Sequence, residues 1–130
     1  MTEQEILDKV ATHLLTQGKP AKLHPELNSE ACAYRSPDGL KCALGCLIPD
    51  DVYDPEMETQ PVHSLFSEGN SFYAIFERLG LLEHKSILIS LQGVHDRHIA
   101  KNWPDGLRKV AREYGLSSQA VDSFEAKGDS

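Results

Sequence analysis

Leu40-Lys41-Cys42-Ala43-Leu44-Gly45-Cys46-Leu47-Ile48 is small or apolar at every position except Lys41, and its reading decides the fold class. It is entered through Ser36-Pro37-Asp38-Gly39, where proline fixes φ and glycine accepts a positive φ, a clear turn signal. Ahead of the turn, Ala31 to Arg35 suits a short strand. Cys42 and Cys46 share a face in a helix, and they share one in a strand too, since four is a multiple of two. Periodicity leaves both conformations open for Leu40–Ile48. The turn favours a β-hairpin around residues 31–48, its second arm passing into a short helix that Pro49 stops. The predicted fold class is α+β, mainly helical, with this hairpin packed on about four to five helices.

Helices dominate on both sides of the hairpin. Thr2 and Glu5 have the spacing of a capping box, and Ile6, Val10 and Leu14 form a stripe widened by Leu7 and Ala11. Gly18 and Pro20 end that helix. Residues 19–30, with His24-Pro25 and Asn28-Ser29, read as an irregular connection. Residues 49–70 are acidic and punctuated by Pro49, Pro55 and Pro61, and they read as a long surface loop with a helical turn near Asp50 to Tyr53. Beyond it, a helix capped by Asn70 or Ser71 should carry Phe72, Ile75, Phe76 and Leu79 up to Gly80. Another should run from Lys85 to Ala100, and a third should start at Trp103-Pro104-Asp105 and end at Gly115. A last short helix follows with Val121 and Phe124. The chain reads as one domain over 1–125 with a frayed tail over 126–130.

Composition narrows the function classes. A formal charge of −7, with 20 acidic against 13 basic residues spread along the chain, disfavours nucleic acid and anionic membranes as partners. The first residues lack the basic region and apolar stretch of a secretory signal, and no apolar run reaches the roughly 18–20 residues of a bilayer span. A cytoplasmic protein is expected. Three cysteines in such a chain argue against a disulfide framework.

Four sets of residues carry possible chemistry. Cys42 and Cys46, with three residues between them, have the spacing of a zinc pair; Cys32 would be a third ligand, and His63, His95 or His98 the fourth. No second close pair of cysteines accompanies them, and free cysteine commonly packs as a small hydrophobe, so no cofactor is expected and zinc is the alternative. His95-Asp96 resembles the metal-binding pair of HD-type phosphohydrolases, which implies a first ligand from His63 or His84 and a last from Asp105 or Asp122. A thiol enzyme would use Cys42 as nucleophile, His95 as base, and Asp96 or Asp105 as orienter. Tyr34, Arg35, Asp38 and Lys41 surround the turn and form a candidate recognition patch, with the plain alternative that Asp38 closes its own turn and Arg35 pairs across it. No Gly-rich segment ends in Gly-Lys-Ser or Gly-Lys-Thr, so no phosphate loop is expected.

Over most of the chain the sequence resembles a group of small proteins of bacteriophage and prophage genomes. The resemblance rests on Cys32 to Pro49, with its Tyr-Arg-x-Pro-Asp-Gly-x-Lys-Cys-Ala-x-Gly-Cys-Leu-Ile pattern, on the Tyr53 to Glu58 stretch, on Leu91 to Asp96, and on Trp103. It implies a small protein of the bacterial host cytoplasm and no defined activity. With no complete catalytic constellation in the sequence, the expected function is non-enzymatic: an accessory protein that binds a bacterial protein, such as a host or defence factor. One alternative is a metal-dependent or thiol hydrolase centred on Cys42, Cys46, His95 and Asp96. The other is a protein that sequesters a small molecule such as a nucleotide.

Overall fold

Thr2 and Glu5 cap the first helix reciprocally: the Thr2 N–H donates to Glu5 Oε1 at 2.8 Å, and the Glu5 N–H donates to Thr2 Oγ1 at 3.1 Å. The helix they start, α1 (Glu3–Gln17), ends at Gly18, which takes φ 66°. Its apolar stripe is buried as the spacing requires, with Ile6, Leu7, Val10, Ala11 and Leu14 all inside.

The computed structural model describes residues 1–27 and 31–128. After α1 come α2 (Val62–Leu65), α3 (Tyr73–Arg78), α4 (Lys85–Arg97), α5 (Trp103–Glu113) and α6 (Gln119–Gly128). Short 3₁₀ turns lie between them, including Gly45–Leu47 and Pro55–Thr59. α1 packs on α4, α5 and α6, and α4 on α2 and α5. Trp103 lies at the centre with no exposure, its indole N–H donating to the His98 carbonyl at 3.1 Å. Phe66 and Phe76 meet with ring centroids 4.7 Å apart, which ties the 62–66 turn to α3. No described helix is long and apolar enough to cross a membrane.

This architecture is helical, which corrects the α+β expectation. Among the described residues the extended backbone makes two isolated bridges, Lys22 to Cys32 and Arg35 to Lys41, and no strand. The turn itself forms where expected, with the Gly39 N–H on the Ser36 carbonyl and the Ser36 N–H on the Leu40 carbonyl. A ladder does not grow from it because the N–H groups of residues 33–35 are satisfied elsewhere, although the Tyr34 carbonyl takes the Cys42 N–H across the arms. The Ala33 N–H goes to the Ala21 carbonyl, the N–H groups of Tyr34 and Arg35 go to the Glu58 carboxylate, and the second arm curls into the 3₁₀ turn at Gly45–Leu47.

The acidic segment 49–70 also differs from a plain surface loop. Met57, Val62, Leu65 and Phe66 are buried, so the segment folds back on the core through the Pro55–Thr59 turn and α2. Helices α4 and α5 fall where periodicity places them, with α4 ending at Arg97, three residues short of Ala100. Residues 126–128 continue α6, and the rest of the expected tail lies outside the described residues, as do residues 28–30 of the irregular connection.

Candidate functional site

Around the turn, the charged residues are turned towards one another. Arg35 Nη2 donates to the Ile48 carbonyl and pairs with Asp50 Oδ1, both at 2.7 Å. Its guanidinium lies 4.6 Å from the Tyr53 ring centre. Lys41 Nζ approaches the same Asp50 oxygen at 3.7 Å. Asp38 accepts from the Ser36 hydroxyl and so closes its own turn. Tyr34 is buried, its hydroxyl on the Gln60 carbonyl, and burial holds its phenol well above the ordinary value as a neutral donor. The backbone of Lys41 is clamped from α1, its N–H by Gln17 Oε1 and its carbonyl by Gln17 and His13.

The cysteines part company. Cys42 has no exposure, its sulfur accepts the Gly45 N–H at 3.3 Å, and burial pushes its thiol far up. Cys46 donates its thiol to the Ala43 carbonyl at 3.1 Å, and burial raises it to about 11. Thiolate is the nucleophile and the metal ligand, so both positions are chemically quiet at neutral pH. Cys32 is half-buried and lines a surface cleft. Brief iodoacetamide treatment of the native chain near pH 8, read by peptide mass mapping, is expected to label Cys32 first and leave Cys42 intact. Labelling of Cys46 should be slow, with roughly one thiol in a thousand ionised at that pH, and should rise about tenfold per pH unit towards its midpoint of about 11. Labelling of Cys42 as fast as Cys32 would contradict this order.

Among the described residues, one group of three possible metal ligands gathers: Cys32, His95 and Asp96, each offering an atom within 4.8 Å of the others. His95 is held on both sides. Its Nε2 accepts the Ala21 N–H at 2.9 Å, which places the ring proton on Nδ1, and Nδ1 donates to Asp96 Oδ1 at 2.7 Å. The imidazole has no exposure and stacks on Trp103 at 5.5 Å between ring centres. Asp96 Oδ1 takes a second bond from Gln92 Nε2 at 3.0 Å, and Gln92 Oε1 accepts the Leu44 N–H at 3.0 Å.

A chain of hydrogen bonds therefore runs from the backbone at Ala21 through His95, Asp96 and Gln92 to the backbone at Leu44. A cation ligated by His95 must displace either the Ala21 N–H or the Asp96 carboxylate, so the donor set does not fit a resident metal. For the same reason His95 has no free nitrogen to act as a base on a thiol. The other residues of an HD-type set sit elsewhere. His84 Nε2 meets the Met1 carbonyl, Asp105 and Asp122 both pair with Arg108, and His63 stands exposed on the cleft wall. His98 is exposed beyond the end of α4.

The cleft has a volume of about 490 Å³ and runs between residues 32–34, residues 58–63 and the outer face of α4. Tyr34, Gln60, Val62, Ile89, Asp96 and Arg97 line it. Glu58 builds its wall: one carboxylate oxygen takes the Tyr34 N–H at 2.8 Å, the other takes the Arg35 N–H at 3.0 Å and the Tyr53 hydroxyl. Sequence reasoning missed Glu58 and Gln92. The available signal for Gln92 was a lone amide on the apolar face of α4, four residues before Asp96; for Glu58 no local signal exists. The chain matches no family model, no curated protein and no solved structure.

Proposed function

We propose that the protein is a non-enzymatic accessory protein of phage type that binds a bacterial protein through the cleft between residues 32–34, residues 58–63 and α4. The observation that carries this reading is that the His95 ring, the Glu58 carboxylate and the Tyr34 hydroxyl are all committed to holding the fold, whereas the cleft itself is open and mixed in character. Tyr34 is part of its wall, and Arg35, Asp38 and Lys41 belong to the adjoining turn. A hydrolase centred on Cys42, Cys46, His95 and Asp96 has less support. Cys42 is buried and protonated, and the His95 ring is satisfied on both sides.

The test places a benzophenone amino acid at Ile89, which is 39% exposed on the cleft rim, in the full chain made in bacterial cytoplasm. Illumination is expected to give a discrete adduct that is absent when the probe stands at Ile99, which is exposed away from the cleft. Gly93 is on the cleft wall with only the Arg97 guanidinium near the position of an added Cβ, so Gly93→Phe fills the cleft without a backbone clash. That variant should remove the adduct. An Ile89 adduct indifferent to Gly93→Phe, or no adduct at all, would overturn the reading.

A further inference from the structure

We infer that the cleft seats a lysine side chain of the partner segment against Asp96, an inference that rests on the binding reading above and specifies its chemistry. The carboxylate is unusual in being oriented before any ligand arrives. Its Oδ1 is held by His95 and Gln92, each anchored in turn on a backbone N–H, while neither of them bonds its Oδ2, and Cys32 Sγ lies within 4.8 Å of the carboxylate. The side chain of Asp96 is 38% exposed and faces the cleft, so this second oxygen is the group left to a ligand. A carboxylate fixed in this way loses little rotamer freedom on pairing, which is where an exposed ion pair usually forfeits its gain.

The shape of the site selects the cation. Only one oxygen is open, so a guanidinium cannot make its two parallel bonds, while the compact ammonium of lysine needs only one acceptor. Ile89, with the edges of the buried Val62 and Ala33 beside it, supplies apolar surface for the four-carbon stem. The other charged or titratable groups on the cleft are Glu58, whose oxygens are already engaged, Tyr34, whose hydroxyl is on the Gln60 carbonyl, Cys32, Arg97 and His63. Two carboxylates thus stand against one guanidinium, and Arg97 is positioned to take carbonyl oxygens of the partner backbone. The overall charge of −7 steers a basic segment towards the molecule.

The full chain is titrated with three blocked pentapeptides, alanine throughout except for a central lysine, arginine or norleucine, and amide shifts are followed by nuclear magnetic resonance. The lysine peptide is expected to shift residues 32–34 and 92–97 and to half-saturate at a concentration at least fivefold lower than norleucine, with arginine between them. Asp96→Asn keeps the Oδ1 acceptor and so the fold; it should erase the lysine preference. Asp51→Asn, an exposed acid outside the cleft, should leave it intact. Equal binding of norleucine, equal loss in Asp51→Asn, or saturation by one equivalent of Zn²⁺ that Cys32→Ser abolishes would each overturn the inference. An Ile89 adduct with no lysine preference sinks this inference alone, whereas a lysine preference with no adduct sinks the binding role and leaves the cation site.

Discussion

Gly45→Ala is expected to cost more than about 4 kcal/mol, enough to leave a protein of ordinary stability largely unfolded. A Cβ at this position would stand 1.9 Å from the Tyr34 carbonyl oxygen and 2.8 Å from its carbon. The obstacle is room, not dihedral angle, since Gly45 is not among the glycines with positive φ. Relief would require Tyr34 to retreat, and Tyr34 is pinned at every group. Its N–H is on Glu58, its carbonyl takes the Cys42 N–H at 3.2 Å, and its hydroxyl is on the Gln60 carbonyl. Urea unfolding followed by the fluorescence of Trp103 measures the loss. Gly93→Ala is the matched control: its Cβ would meet nothing closer than 3.7 Å inside α4, so it should stabilise by up to about 1 kcal/mol. If the two alanine variants unfold at similar urea concentrations, the close approach of residues 34 and 45 is not a feature of the protein.

That contact also explains which parts of the fold were legible. Helices α1, α4 and α5 could be read from local pattern, because their apolar stripes, with the capping box of α1 and the early proline of α5, lie within or beside the segments themselves. The turn at Ser36–Gly39 was legible for the same reason. Whether strands extend from a turn depends on where the flanking backbone finds partners, and here those partners are Ala21 and a carboxylate over twenty residues downstream. Nothing between Ala31 and Ile48 encodes that choice. Proline and acid in 49–70 signalled exposure correctly at Pro55 and Glu56 while masking the burial of Met57, Val62, Leu65 and Phe66. At the candidate site, adjacency made His95-Asp96 visible, and spacing drew attention to Cys42 and Cys46. The thiol that approaches the pair is Cys32, brought there by the Lys22 bridge, a tertiary event with no spacing signature.

His95→Leu should destabilise by about 3–5 kcal/mol, from an orphaned buried N–H at Ala21 together with the misfit of an aliphatic side chain in a polar, ring-shaped space. Ala21 has no exposure, so water cannot replace the lost acceptor, and the stacking on Trp103 is lost with it. His95→Gln should recover about half of that cost, because its side-chain oxygen can reach the Ala21 N–H, whereas His95→Asn is too short and should recover less. Hydrogen exchange at the Ala21 amide separates this account from a general loss of stability. Protection there should collapse locally in the leucine and asparagine variants under conditions where the α1 amides stay protected, and it should persist in the glutamine variant. The same substitutions bear on the cleft, since His95 holds Asp96 Oδ1 and Asp96 lines the cleft. A histidine kept for catalysis or metal binding would behave in the opposite way, with removal leaving stability within about 0.5 kcal/mol and Ala21 protection unchanged. That outcome would end the view of His95 as the strut between the chain at Ala21 and the carboxylate on α4.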